Sequence, residues 1–76
     1  MEMNPHSQAM ERLSQADLLR RAGCVSRSKE ILMEAYNLEI RAAINAGRNK
    51  ARRKMLMTSA ESILEQAKTG RSRERG

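Results

Sequence analysis

The chain has 76 residues, and its 15 Lys and Arg outnumber nine Asp and Glu, giving a formal charge of +6 and a pI near 10.5. A chain this short holds at most one domain and buries only a modest share of the surface that its unfolded form exposes. No apolar run approaches the roughly 20 residues of a membrane span, and a single cysteine excludes an internal disulfide.

The first eight residues, Met-Glu-Met-Asn-Pro-His-Ser-Gln, have neither the basic end nor the hydrophobic core of a signal peptide. The expected location is therefore cytoplasmic, which agrees with an unpaired thiol. The large apolar side chains are 12 Leu, Ile and Val, six Met and Tyr36, without Phe or Trp. That aliphatic content borders on the disordered range. Against disorder, the apolar residues are periodic, and ten Ala let helices approach closely. The expectation is an all-α fold, a small bundle of about three helices in one domain over 1–70, completed by homodimerisation because one copy has so little core.

Asn4 and Pro5 read as an N-cap and a proline at the first helical position, where a missing N–H costs nothing. The first helix is expected over about 5–22, with Met10, Leu13, Ala16 and Leu19 as a loose stripe and Gly23 ending it in the left-handed conformation. Arg20 and Arg21 suit the negative end of that helix.

Ser26 or Ser28 is expected to cap a second helix over about 27–46. At about 100° per residue, Ile31, Ala35, Leu38 and Ala42 fall on one side and Met33, Ile40 and Ile44 nearly opposite, leaving a narrow polar strip of Glu30, Glu34, Asn37 and Arg41. A helix apolar over so much of its circumference belongs in the centre. It should touch both other helices and a second subunit.

Gly47 as the residue after the helix end and Asn49 as the next N-cap predict a break before a third helix over about 49–68. The alternative is one continuous helix over 28–68, since an isolated Gly costs only about 1 kcal/mol; the break is the preferred reading, with helices 2 and 3 as an antiparallel hairpin. Leu56, Met57, Ala60, Ile63, Leu64 and Ala67 form the apolar stripe of the third helix. Residues 71–76, Arg-Ser-Arg-Glu-Arg-Gly, have no apolar side chain and read as a flexible basic tail.

Catalysis finds little to work with. His6 is the only histidine and reads as a solvated terminal residue, and Cys24 has no acidic cluster or second thiol beside it and reads as a small hydrophobe at a helix junction. The four glycines are too scattered for a phosphate-cradling loop. No metal, cofactor, small-molecule substrate or enzymatic activity is expected.

Residues 13–33, Leu-Ser-Gln-Ala-Asp-Leu-Leu-Arg-Arg-Ala-Gly-Cys-Val-Ser-Arg-Ser-Lys-Glu-Ile-Leu-Met, resemble a bacterial helix-turn-helix. Gln15, Gly23, Val25, Ser26, Arg27 and Ser28 carry the match, over about a quarter of the chain. Lys29 or Glu30, depending on register, stands where that family needs a buried aliphatic residue, so the resemblance requires a longer turn with Ile31 and Leu32 supplying the buried positions. It implies DNA contacts from Arg27 and Lys29. In size, charge and short helices the chain is also similar to small accessory and regulatory proteins of phages and plasmids.

The densest charge lies in 47–54, Gly-Arg-Asn-Lys-Ala-Arg-Arg-Lys, five of whose eight residues are cationic. Arg48, Lys50, Arg52, Arg53 and Lys54 can neutralise phosphates with little sequence preference. The lack of Trp and Phe removes a stacking platform for unpaired bases and disfavours membrane insertion, so duplex DNA is the leading partner. The second expectation is a small adaptor or inhibitor that docks on an acidic or apolar surface of another protein. Met33, Ile40, Ile44, Leu56, Met57, Ile63 and Leu64 are the candidates for a dimer or partner interface.

Overall fold

A computed structural model of the chain describes residues 4–69. They form three helices and no strand: α1 (Pro5–Arg21), α2 (Val25–Asn45) and α3 (Lys50–Thr69). The expected tail over 71–76 lies outside the described residues. No helix among them is long and apolar enough to cross a membrane.

The local signals at both ends of α1 do what their chemistry suggests. Asn4 is extended, and its side-chain oxygen accepts the Ser7 N–H at 2.8 Å, with Pro5 opening the helix. At the other end Gly23 has φ +90, the Gly23 N–H donates to the Arg20 carbonyl and the Cys24 N–H to the Leu19 carbonyl. Those two reversed bonds are a Schellman ending. A Cβ on Gly23 would meet nothing within 4 Å, so substitution there costs only backbone conformation. Gly23→Ala is expected to lower stability by about 1 kcal/mol in urea unfolding, without a change in m.

The start of α2 differs from expectation. Neither Ser26 nor Ser28 caps it; Cys24 holds the cap position without a side-chain bond, and Val25 is already helical. Ser28 is buried one turn inside, where its hydroxyl donates to the Ala16 carbonyl of α1 at 2.8 Å. The serine that looked like a cap is a tie between helices. At the far end Gly47 has φ +60 and donates its N–H to the Ile44 carbonyl, while the Asn49 side chain accepts the Arg52 N–H at 3.1 Å. The chain thus breaks between α2 and α3 as the Gly-Arg-Asn signal predicts.

α1 and α2 lie side by side and antiparallel. Ser28 meets Ala16, Arg12 meets Glu34 and His6 meets Glu39, so partners recede from the turn in step on both helices. His6 and Glu39 each stand about 21–22 Å from the turn at 1.5 Å per residue. Crossed at the 90–120° of a DNA-binding helix-turn-helix they could not touch. The likeness of 13–33 to that motif therefore does not extend to the arrangement of its helices: Ile31 and Leu32 are buried as the resemblance requires, but the connection over 22–24 is not lengthened and α2 runs back antiparallel along α1.

α2 is the central helix, packed against both α1 and α3, which touch each other little. The backbone is a slab of 40 × 31 × 15 Å. One cluster joins Ala9 and Ala16 of α1, Ile31, Leu32 and Ala35 of α2, and Ile63 and Ala67 of α3; a second joins Ala42, Ala43 and Leu56 near the α2–α3 turn. Alanine supplies most of this core, so close backbone approach replaces side-chain bulk. In α1 the buried stripe runs through Ala9 and Ala16, with Leu13 and Leu19 half-buried against the same cluster, and Met10 is left exposed.

Candidate polyanion interface

The cations fall into two groups at opposite ends of α2. Arg27 and Lys29 are exposed at its start, and Arg48, Lys50, Arg52, Arg53 and Lys54 are exposed around the α2–α3 turn. From 29 to 48 the helical rise is about 28 Å, so the sequence-derived set does not form one patch.

Of the first group Arg27 has a carboxylate partner, as the arginines of α1 have, whereas Lys29 has none among the described residues. Arg12 pairs with Glu34, Arg20 and Arg21 share Asp17, and Arg27 pairs with Glu30 at 2.9 Å. Among the described residues, none of Arg48, Lys50, Arg52, Arg53 and Lys54 has a carboxylate partner. Three of them occupy the first turn of α3, which has no acidic residue. Cations there oppose the helix dipole by roughly 0.3–1 kcal/mol each at exposed positions. An anion at the turn would relieve both costs.

Arg52 is set apart from the other four. At about 100° per residue it lies far around α3 from Lys50 and Lys54, on the side that lines a cavity of about 240 Å³ with Asn4, Pro5 and His6 of the α1 start and Ala42, Asn45 and Ala46 of the α2 end. The wall behind His6 is Glu39, 0% exposed, whose Oε1 lies 2.8 Å from the imidazole Nδ1. The other carboxyl oxygen is buried without a hydrogen-bond partner. His6, expected to be a solvated terminal residue, is instead 32% exposed and tied to the core of the molecule.

Sequence reading passed over Glu39, Asn45 and this use of His6. A signal was present: Ser28, Leu32, Ala35, Glu39 and Ala42 follow one another by four and three residues, so two polar residues stand on the buried stripe of α2. A charged residue at such a position needs a partner from another element. The single histidine near the N-cap was the one residue whose ring could reach it, once α1 turned back along α2.

The apolar candidates separate as well. Leu56 and Ile63 are fully buried within the chain and have no surface left to offer a partner. Met33, Ile44 and Met57 are exposed, Ile44 at 71%, while Ile40 and Leu64 are half-buried. On α2 the residues Met33, Ile40 and Ile44 repeat at seven and four, one continuous outer stripe. No family model, curated protein or solved structure matches this chain.

Proposed function

We propose that this chain is a small non-catalytic regulatory protein that binds duplex DNA through the α2–α3 turn, with Arg48, Lys50, Arg52, Arg53 and Lys54 on the phosphates. In this reading α2 and α3 form an antiparallel hairpin with the cations at its tip. What carries the reading is the clustering of five exposed, carboxylate-free cations on a turn whose own helix is disfavoured by them. A surface kept basic for solubility alone has no need to place charge against a dipole. Arg27 and Lys29 belong to the far end and are not required.

The stripe Met33, Ile40 and Ile44, with Met57 and Leu64 on α3, is then the seam of a homodimer. A two-fold pair would present two basic turns to one duplex. The check is duplex binding by fluorescence anisotropy at low salt together with mass in solution over a dilution series. Binding that strengthens as the dimer forms is the expected result; a chain that never retains duplex at low salt rules the reading out.

A second reading, an adaptor that seats a helical face on another protein, is favoured by Ile44 at 71% and Met55 at 52% exposure beside the same cations. Adaptable apolar side chains rimmed by charge suit a helix-accepting contact. A monomer that leaves duplex unbound but co-purifies in fixed stoichiometry with one protein after nuclease treatment would decide for it.

A further inference from the structure

We propose that the cavity between the start of α1, the end of α2 and the start of α3 is a binding site for one phosphoryl group, with His6 and Arg52 as its principal ligands and Asn4 and Asn45 as neutral partners. The site shares Arg52 with the exposed cations of the turn, but its other members lie outside that group and it does not depend on the duplex reading. At about 240 Å³ it is a cleft open to solvent with room for a phosphoryl group and its waters. Arg52 gives it a permanent positive charge and a fork of donors. None of the described residues that line it is a carboxylate. The helices that open beside it, α1 and α3, both lack an acidic residue in the first turn, so beyond the single N–H capped by Asn4 and by Asn49 no carboxylate offsets their positive ends.

The buried pair explains how the imidazole is held. Glu39 engages Nδ1 at 2.8 Å and fixes the ring, leaving Nε2 without a partner among the described residues. A carboxylate behind a metal-ligating histidine orients the other ring nitrogen; toward an anion the same arrangement works through the imidazolium, in which Nδ1–H faces Glu39 and Nε2–H donates to a phosphoryl oxygen. Glu39 is a positioning residue here. Donors arriving from three separate helices surround a tetrahedral oxyanion better than a planar carboxylate, which offers two oxygens in one plane. The phosphoryl group can come from inorganic phosphate and small phosphomonoesters or from a nucleic-acid backbone, and the chemistry of the site is the same for both.

Because His6 is the only histidine, its ring signals in long-range 1H–15N spectra are unique. The full chain is titrated with inorganic phosphate at constant pH and ionic strength, and in parallel with chloride, acetate and a short duplex. The expected result is a saturable movement of the His6 ring signals with phosphate, absent with chloride and acetate, and a midpoint at least tenfold higher in Arg52→Ala and Arg52→Gln, each checked for helix content. Movement with duplex alone, abolished by the same variants, keeps the site and assigns its ligand to the polymer. An equal response to acetate overturns the phosphoryl assignment. A duplex that binds while the His6 signals stay still under every anion overturns the site and leaves the duplex reading standing, whereas phosphate saturation without duplex binding does the reverse.

Discussion

His6→Ala is expected to lower the stability of this protein by about 2 kcal/mol, whereas Glu39→Met should leave it unchanged or raise it. The asymmetry follows from burial. Glu39 is 0% exposed and already has one unpartnered oxygen, so loss of His6 leaves the whole carboxyl group buried without a donor. Because His6 is itself 32% exposed, removing its ring also opens a route for water, which keeps the cost toward the lower end of the range for broken buried pairs. Methionine at 39 removes the polar demand while keeping most of the volume, and the freed imidazole can turn to solvent. A domain of this size has roughly 4–11 kcal/mol of stability in all, and 2 kcal/mol corresponds to a fall of about 10 °C in Tm. Thermal melts of the two variants and the double variant measure the sign directly. Equal destabilisation by both substitutions would mean that Glu39 is held by packing and that the pair contributes more than it costs.

That buried pair marks the boundary of what could be read from the residues. Helix ends were legible because their signals are local: Asn4, Gly23, Gly47 and Asn49 each satisfy or reverse backbone groups within a few residues of themselves. The stripe of α3 was legible for the same reason, since Leu56, Ala60, Ile63 and Ala67 need only helical periodicity to be recognised. Ser28 and Glu39 were misread or passed over because their partners, the Ala16 carbonyl and His6, lie 12 and 33 residues away and are brought near only by the path of α1 along α2. Ser28 looks like a cap to any local rule. The helix-turn-helix likeness failed by the same route: a turn glycine and a polar helix start do not encode the angle at which two helices cross. In this chain Ala9, Ala16 and Ala35 are buried in the cluster that joins α1 to α2, where small side chains let two backbones lie close together.

The cationic turn was legible as charge but not as a pattern of use. Composition gives +6, and by count the Arg at 12, 20, 21 and 27 are as basic as those at 48, 52 and 53. What separates them is pairing: carboxylates on α1 and α2 occupy the first group, and the second has none among the described residues. An exposed ion pair contributes little to stability, yet it lowers the local field and makes its arginine a poorer phosphate ligand. Among the described residues, five of the eight cations without a carboxylate partner therefore stand around the α2–α3 turn, the others being Lys29, Arg41 and Lys68.

If the turn binds duplex DNA as proposed, the affinity is expected to fall about 500-fold per engaged turn between 50 and 200 mM salt, and by about the square of that factor where both turns of a dimer sit on one duplex. Each phosphate neutralised contributes about −0.9 to the slope of log K against log salt, so five contacts per chain give about −4.5, and a fourfold rise in salt then costs about 2.7 decades. Arg52→Ala with Arg53→Ala should bring the slope to about −2.7 and the fall to roughly 40-fold, while also weakening binding at every salt concentration. Arg27→Ala with Lys29→Ala provides the opposing case, because these residues stand at the far end of α2 and Arg27 is already paired with Glu30. Their loss should leave the slope within experimental error of the parent, although it removes the same number of charges. If the two double variants flatten the slope equally, the molecule is acting through net charge, and the α2–α3 turn has no special part in binding. If only the turn variant does so, the cost of placing Lys50, Arg52 and Arg53 at the start of a helix is explained by the phosphates that offset it.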